Sequence, residues 1–264
     1  MKSFLKWSGS KLKLLPDLQT RMPEKYNRYF EPFIGSGVLY FATLPDDAVI
    51  SDVNRNLINC YKAIRDDVRK VISFLQIHEK LHDRDHYYLV RDSFASCCRF
   101  ENAARLIYLN KTCFNGLYRE NSKGAFNVPM GDYKNPLICD GELLHQISYL
   151  LKRSEIYCSS FDSVLDMAIE GDFIYFDPPY YPVSQTAKFT NYSKYDFNPY
   201  DQIRLANTCR KLDRMGVRWM LSNSDCDAVK ELYSGFRIEI VTTHRSIGNA
   251  ASRGRTNETL IRNY

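Results

Sequence analysis

Short apolar segments alternate along the chain with longer segments whose apolar residues recur at helical spacing. The short segments each end at a polar or turn residue, as central strands of a covered parallel sheet do; they are residues 29–34, 48–51, 172–176 and 217–221. Helical faces are predicted for residues 64–75, 143–151 and 201–215. Asp140 is a favourable N-cap for the second helix, and Gly216 a favourable stop for the third. The alternation predicts a doubly wound α/β fold with a Rossmann-like sheet.

One long segment, from about residue 57 to residue 140, interrupts the alternation. Its first half is helical and charged, whereas residues 115–136 are rich in Asn, Gly, Pro and Tyr and contain a Ser122-Lys123-Gly124 turn. We predict a helical insertion that carries a β-hairpin. The predicted domains are residues 1–57 with 141–264, and the insertion at residues 58–140.

Composition narrows the class of protein. The chain has 264 residues, 44% of them hydrophobic, which is enough for a large core. No apolar run approaches the roughly 20 residues of a membrane span, and no export signal precedes the first helix. The eight cysteines form no C-x2-C pair, so we expect a reduced cytoplasmic protein. The net charge of +5 is a weak indication of a polyanionic partner.

Three histidines, His78, His82 and His86, recur every four residues. This spacing could hold a metal ion on one helical face, but a solvated face is the simpler interpretation. We therefore expect no metal.

A Gly-x-Gly turn follows the first predicted strand, in the segment Phe30-Glu31-Pro32-Phe33-Ile34-Gly35-Ser36-Gly37. Such a turn lets the backbone approach a ligand closely, and Asp52 at the end of the next strand could accept hydrogen bonds from ribose hydroxyls. Tyr40 stands where a dinucleotide fingerprint needs its third glycine. The pattern favours an adenosine-bearing cofactor, although an ordinary tight turn would also explain Gly-x-Gly alone.

A second motif, Asp177-Pro178-Pro179-Tyr180, directly follows the third predicted strand. Two prolines could simply end the strand. They would also hold a main-chain carbonyl in place beside the Asp177 carboxylate, so that the two acceptors orient an amino group. Tyr180 offers a flat face on which a base could stack. The joint occurrence of strand, carboxylate, prolines and aromatic favours the functional interpretation.

A basic and aromatic segment near the start, Lys6-Trp7-Ser8-Gly9-Ser10-Lys11, completes a specific order of motifs. This order resembles the Dam family (D12 class) of DNA adenine-N6 methyltransferases. Residues 114–119 and 126–129 resemble the family's target-recognition hairpin, and the segment from His244 to Glu258 resembles its C-terminal pattern. The similarity spans nearly the whole chain.

The resemblance implies S-adenosylmethionine as the cofactor. Asp52 should bind the ribose, and Val53 and Phe161 should pack against the adenine. The implied cofactor residues are Trp7, Lys11, Phe33, Gly35, Gly37, Asp52, Val53, Phe161 and Asp177.

The resemblance also implies double-stranded DNA as the substrate, with an adenine extruded from the duplex before its N6 is methylated. Asp177 and the Pro178 carbonyl should then bind the N6 hydrogens, and Tyr180 should stack on the base. These three are the implied catalytic residues.

Recognition of GATC is the implied specificity. Arg119 corresponds to an arginine that contacts a guanine, Phe114 to an aromatic that enters the helix, and Asn121 and Asn127 to phosphate contacts. The implied DNA-binding residues are Lys6, Phe114, Asn115, Leu117, Arg119, Asn121, Asn127, Pro129 and Tyr133. Asp132 stands where the family often has arginine, and Glu120 adds a second negative charge nearby; both should weaken attraction to the DNA backbone.

Other functions fit parts of the sequence. The Asp-Pro-Pro-Tyr motif would suit methylation of RNA or of a protein amide, and a DNA-binding protein with an inactive methyltransferase fold would keep the hairpin. A nicotinamide-dependent oxidoreductase is disfavoured by Tyr40. The family resemblance is compatible with restriction–modification and with a role linked to DNA replication, in a bacterial or phage-infected cell, and a monomer is the expected state.

Overall fold

The computed structural model describes residues 1–7, 9–93, 95–121, 124–182, 197–244 and 255–264. Within these residues, seven strands form one mixed sheet in the order β3-β2-β1-β4-β5-β7-β6. The strands are β1 (Tyr29–Glu31), β2 (Ala48–Asp52), β3 (Ser154–Cys158), β4 (Phe173–Phe176), β5 (Arg218–Ser224), β6 (Arg237–His244) and β7 (Arg255–Arg262). Strands β1 to β5 are parallel, and β7 lies antiparallel to β5 and β6. The predicted α/β fold with a Rossmann-like sheet is confirmed.

All four predicted strands are present, but their first or last residues differ from the predicted ones. β1 ends at Glu31 because Pro32 has no N–H to donate to a ladder, and β5 continues to Ser224. The sequence analysis missed β3, β6 and β7. β3 is an edge strand on which buried Ser154 and Ile156 alternate with exposed residues, so it lacks the continuous apolar run of a central strand.

The predicted helices are confirmed, and five more are found in the described part of the chain. The eight are α1 (Leu15–Arg21), α2 (Val38–Thr43), α3 (Arg55–Lys80), α4 (Arg84–Asp92), α5 (Arg99–Thr112), α6 (Gly141–Leu151), α7 (Pro199–Arg214) and α8 (Asp227–Leu232). Asp140 caps α6 by accepting from Leu143 N at 3.1 Å, as predicted. α7 ends just before Gly216, which has a φ of 73°. None of these helices is both long and apolar enough to cross a bilayer.

Two apolar cores cover the two faces of the sheet. Successive residues of β1 point to opposite faces, so Tyr29 joins the core that includes residues of α2, α3, α5 and α6. Phe30 joins the other core, which includes residues of α7 and α8 and the indole of Trp219. This double covering explains why the central strands are apolar throughout.

The boundary predicted for the insertion, at residues 57 and 58, falls within α3. Asp67 has non-helical angles (φ −155°, ψ 83°) that divide α3 in two, and residues 57 and 58 lie in its first half. α3 packs against β2 and β3 as well as against α5 and α6. The predicted hairpin lacks regular strands where it is described: it has isolated bridges at Glu120–Phe126 and Cys113–Met130. Pro129, which cannot donate to a ladder, helps to explain the irregularity, and Ser122 and Lys123 lie outside the described residues.

The three histidines do not share a helical face, so that interpretation was wrong. α3 ends at Lys80 and His86 lies on α4. All three rings are partly buried and surround Tyr108: His78 stacks on its ring, and His82 Nδ1 lies 3.0 Å from its hydroxyl. Burial lowers the pKa of His78 to about 4. The described residues contain no group of His, Cys, Asp and Glu side chains suited to a metal ion.

Candidate active site

The two turns singled out in the sequence follow neighbouring strands. β1 and β4 pair in parallel, with Tyr29 opposite Phe173, so their carboxyl ends meet at one edge of the sheet. The strand order reverses between β1 and β4, which is where doubly wound sheets bind ligands. Glu31, at the end of β1, is buried; burial, assisted by the charge of Asp177, raises its pKa to about 8. The glycine turn and the Asp-Pro-Pro-Tyr motif therefore border one site.

The Asp177 carboxylate is bound by a cation and a hydroxyl. Lys11 Nζ lies 2.8 Å from Asp177 Oδ1, and Ser222 Oγ on β5 donates to the same oxygen at 3.1 Å. Burial raises the pKa of Asp177, and the Lys11 ammonium opposes that shift. The carboxylate is thus an acceptor that already binds a nitrogen.

Tyr180 lies beside this ion pair. Lys11 Nζ is 4.4 Å from the centre of the Tyr180 ring, so one ammonium group contacts both the carboxylate and the aromatic face. The Tyr180 hydroxyl donates to Glu258 Oε2 on β7 at 2.5 Å. Burial raises the pKa of Tyr180 well above its usual value, which keeps the phenol neutral.

The proline turn is held by side chains from α7 and β5. Gln202 Nε2 donates to the Pro179 carbonyl at 2.8 Å, and Asn223 Oδ1 accepts from Tyr181 N at 2.9 Å. Asn223 Nδ2 also donates to Gln202 Oε1 at 3.1 Å, which joins the two supports. Pro178 is buried. The main chain after Asp177 is therefore fixed in position by prolines and by two amides.

The glycine turn is built around Asp52. Gly35 N donates to Asp52 Oδ2 at 3.2 Å, and Tyr61 Oη donates to the Gly35 carbonyl at 3.0 Å. Gly35 and Gly37 both have positive φ, and a Cβ on Gly35 would lie only 3.1 Å from Trp7 Cδ1. Glycine is thus required here both by the backbone angle and by the packing of Trp7.

The surroundings of Asp52 suit an adenosine group. Asp52 accepts from Asn54 N at 2.9 Å and is partly exposed, and Val53 is 39% exposed beside it. Phe33 stacks on Phe161 at 5.4 Å between ring centres, and Phe197 contacts both rings edge-on at 5.7 and 5.8 Å. Phe161 is only 2% exposed and belongs to the core, whereas Phe33 is half-buried. An acceptor for ribose hydroxyls and the exposed apolar Val53 beside it fit S-adenosylmethionine.

The N-terminal segment joins this site to the insertion. Asn110 on α5 accepts from Lys6 N at 2.8 Å and donates to the Lys6 carbonyl at 2.5 Å. The Trp7 indole stacks on Tyr118 of the hairpin, with 5.0 Å between ring centres. Lys6 Nζ lies 4.0 Å from the centre of the Tyr133 ring. Residues expected in cofactor binding and in DNA binding are consequently adjacent along the chain and in space.

The exposed side of the hairpin carries most of the expected DNA-binding residues. Phe114 is 50% exposed, and Asn115, with a φ of 55°, is exposed beside it. Arg119 and Pro129 are also exposed, and Leu117 is half-buried. The packing of these residues does not require an exposed phenylalanine at position 114, so the Phe114 ring is available to a binding partner.

Four polar side chains of the hairpin have partners inside the protein, in the hairpin itself or on α3. Arg119 Nε donates to Asn127 Oδ1 at 2.7 Å, and Asn121 Oδ1 accepts from Ala125 N at 3.0 Å. Glu120 accepts from the Tyr118 hydroxyl and from Asn56 Nδ2. The carboxylate of Glu120 is thereby directed to partners inside the protein.

Several residues of the site were not identified as such from the sequence. Ser222, Asn223 and Gln202 support the Asp177 turn, and Phe197 completes the aromatic group. The only signal for Ser222 and Asn223 was that they are polar residues within a buried strand next to β4. The part of the C-terminal pattern at residues 245–254 lies outside the described residues.

Comparison with known proteins agrees with this geometry. A family model described as D12 class N6 adenine-specific DNA methyltransferase matches residues 7–247. The chain is 43% identical to the type II methyltransferase M1.LlaDCHI of Lactococcus lactis subsp. cremoris, covering all of this chain and 96% of that protein. It is 42% identical to the type II methyltransferase M.MjaIII of Methanocaldococcus jannaschii, covering 100% and 99%. It is 32% identical to the DNA adenine methylase of Serratia marcescens, covering 98% and 97%. The chain belongs to the D12 class of N6 adenine-specific DNA methyltransferases.

Proposed function

We propose that this chain transfers the methyl group of S-adenosylmethionine to N6 of an adenine flipped out of duplex DNA, within the sequence GATC. The observation that carries the proposal is the binding of a nitrogen at the Asp-Pro-Pro-Tyr turn. The Lys11 ammonium binds Asp177 Oδ1 at 2.8 Å and lies 4.4 Å from the centre of the Tyr180 ring. An adenine would use the same two partners in a different way, with a hydrogen bond from its N6 amino group to the carboxylate and its ring stacked on the tyrosine.

The role of Asp177 follows from the chemistry of the amino group. The N6 lone pair is delocalised into the adenine ring, so the nitrogen is a poor nucleophile. Hydrogen bonds from N6 to Asp177 and to the Pro178 carbonyl localise that lone pair on the nitrogen and orient it for in-line attack on the methyl group. The carboxylate also stabilises the positive charge that develops on N6 and can accept the proton that N6 loses. S-adenosylmethionine, when bound, supplies a methyl group made electrophilic by a positively charged sulfur.

Other residues of the site position these groups. Ser222 and Glu258 orient Asp177 and Tyr180, and Tyr180 stacks on the flipped base. Lys11 must give up its contact with Asp177 when the adenine enters. Asp52 binds the ribose of the cofactor. The adenine of the cofactor packs against Val53 and the aromatic rings of Phe33 and Phe161. The remaining cofactor residues are Trp7, Lys11, Gly35 and Gly37.

DNA binding is assigned to the exposed side of the hairpin. Phe114 enters the duplex where the adenine leaves, and Arg119 pairs with a guanine through O6 and N7. Lys6 contacts the other guanine. The remaining DNA contacts are Asn115, Leu117, Asn121, Asn127, Pro129 and Tyr133.

The test is methyl transfer by Asp177 variants. Purified protein, radiolabelled S-adenosylmethionine and a plasmid of known sequence should give N6-methyladenine at GATC sites. Asp177→Ala should lower the rate at least 1000-fold and leave cofactor binding largely intact. Ser160→Ala is a control outside the Asp177 turn and should keep the wild-type rate.

Other outcomes would identify other functions. Turnover by Asp177→Ala at a near-normal rate would refute the role of the carboxylate. Duplex binding by the wild type without any transfer would indicate a DNA-binding protein with an inactive fold. Label in RNA or in protein amides, and none in DNA, would indicate a different amino group as the substrate.

A further inference from the structure

We propose that Asn127 is a positioning residue for DNA specificity: its side chain fixes the Arg119 guanidinium in the orientation with which Arg119 contacts a guanine. The inference rests on the proposed function, because it takes Arg119 as the guanine contact. It replaces a phosphate contact as the principal role of Asn127.

The geometry joins the two residues at three points. Arg119 Nε donates to Asn127 Oδ1 at 2.7 Å, and Arg119 Nη2 lies 3.4 Å from the Asn127 carbonyl oxygen. Asn127 N donates in turn to the Arg119 carbonyl at 3.1 Å. The bridge between Glu120 and Phe126 holds the two segments together beside this pair. The guanidinium is thus bound by the residue directly opposite it.

The chemistry of the contact determines which atom of Asn127 is used. A guanidinium carries only donors, so the atom that faces Nε must be the carboxamide oxygen. Because Nε and one edge of Nη2 are occupied, the donors that remain lie at the far end of the group, on Nη1 and Nη2. Two adjacent donors match the O6 and N7 acceptors that guanine presents in the major groove.

The burial pattern places this end of Arg119 on the outside. Tyr118, Phe126 and Val128 are buried, whereas Arg119 is exposed and Asn127 is half-buried. The asparagine therefore lies closer to the protein than the guanidinium that it holds. An exposed arginine without such a partner would distribute over many rotamers and would lose more conformational entropy on binding a base.

The test measures whether one guanine is still recognised. The duplexes contain the site that the protein methylates. In each of them one guanine is replaced by 7-deazaguanine, which lacks N7 and keeps O6. Binding is measured by fluorescence anisotropy at several salt concentrations, so the assay does not depend on methyl transfer. Wild-type protein should bind one of the two substituted duplexes about tenfold more weakly than the unmodified duplex.

Variants of Asn127 then separate the two roles. Asn127→Leu and Asn127→Ala should lose that tenfold penalty, as Arg119→Leu should, because the guanidinium is no longer held toward the guanine. Asn127→Asp keeps an acceptor for Nε and should retain the penalty. Thermal unfolding of each variant shows that it is folded.

Two results would overturn the inference. One is a penalty that persists in Asn127→Leu and Asn127→Ala. The other is an equal loss of affinity for the unmodified duplex and both substituted duplexes with the tenfold penalty intact, which indicates a sequence-independent phosphate contact. Failure of the proposed function is distinct, because it appears as absence of methyl transfer by the wild type.

Discussion

At the scale of single residues, the protonation of Asp177 is governed by two opposing influences. Burial raises its pKa, and the Lys11 ammonium 2.8 Å away lowers it. Only the ionised carboxylate can stabilise the positive charge on N6 and accept its proton, so methyl transfer requires the deprotonated form. Activity should therefore fall as the pH drops through the pKa of Asp177, which lies above that of a solvent-exposed aspartate.

Substitution of Lys11 tests this balance. Lys11→Met removes the influence that lowers the pKa of Asp177, so the acid limb of the profile of kcat/KM against pH should move to higher pH. The alkaline plateau should also fall, because Lys11 is one of the residues that we propose for cofactor binding. Lys2→Met removes an exposed lysine from the same end of the chain and should leave the profile unchanged. An acid limb at its wild-type position in Lys11→Met would show that Lys11 does not control Asp177.

The sequence predicted residues whose roles depend on local motifs. Asp177 and Gly35 could be identified because a strand, a turn and a functional side chain follow one another directly. Glu258 and Ser222 reach Tyr180 and Asp177 from other strands, and the order of strands in the sheet decides that meeting. No local pattern contains that information.

At the scale of elements, Glu239 connects the antiparallel edge of the sheet to α1. Its carboxylate lies 2.8 Å from Arg21 Nε on α1 and 2.7 Å from Arg237 Nε, and it also binds Arg262 of β7. Although burial acts to raise it, the hydrogen bonds and charges of Arg21 and Arg262 lower the pKa of Glu239 to about 2. Three guanidinium groups thus pair with one carboxylate, and Arg21 also pairs with Asp17 at 2.9 Å.

Glu239→Gln should destabilise the fold because it removes the carboxylate that pairs with Arg237 and Arg262 and leaves Arg21 with Asp17 alone. The side chain is 24% exposed, so we expect a loss of about 1–3 kcal/mol in the free energy of unfolding, or a melting temperature several degrees lower. Because the folded-state pKa is lowered, the wild type gains this stability above the ordinary pKa of 4.5 and loses it as the pH falls toward 2. The difference in melting temperature between the wild type and Glu239→Gln should therefore shrink as the pH falls toward 2.

The matched control is Asp46→Asn. Asp46 pairs with Arg153 at 2.7 Å, but its side chain is 90% exposed, so its removal should change the melting temperature little. Equal melting temperatures for wild type and Glu239→Gln at neutral pH would contradict the assigned role of Glu239.

The elements that the sequence did not predict share a physical cause. β6 and β7 include polar residues such as Glu239, Thr242 and Asn257, because antiparallel strands near an edge expose part of their surface. Their partners are also set by long-range pairing, as between Val241 and Glu258. Central strands are predictable from apolar runs, whereas these strands are defined by the neighbours that they find.

At the scale of the whole molecule, the N-terminal segment connects three parts of the proposed machinery. Lys6 is held by Asn110 of the insertion, Trp7 lies between Tyr118 and Gly35, and Lys11 binds Asp177. A displacement of the hairpin would therefore move the wall of the cofactor site through two aromatic rings. The sequence indicated these functions separately, and the packing shows that they are physically connected.

A double-mutant cycle on Trp7 and Tyr118 measures this connection through cofactor affinity. Trp7→Leu should weaken binding of S-adenosylmethionine about tenfold, because it removes the ring that packs on Gly35. Tyr118→Leu should weaken it about fivefold, although Tyr118 is not assigned to the cofactor site, because a stacked pair contributes about 1 kcal/mol beyond burial. The double variant should bind no more weakly than Trp7→Leu alone, since the second substitution removes a contact that is already lost.

Tyr118→Phe keeps the stacking and should bind like the wild type. Calorimetry on the protein without DNA gives the four affinities of the cycle and that of Tyr118→Phe, and additive losses would mean that the hairpin and the cofactor site are independent.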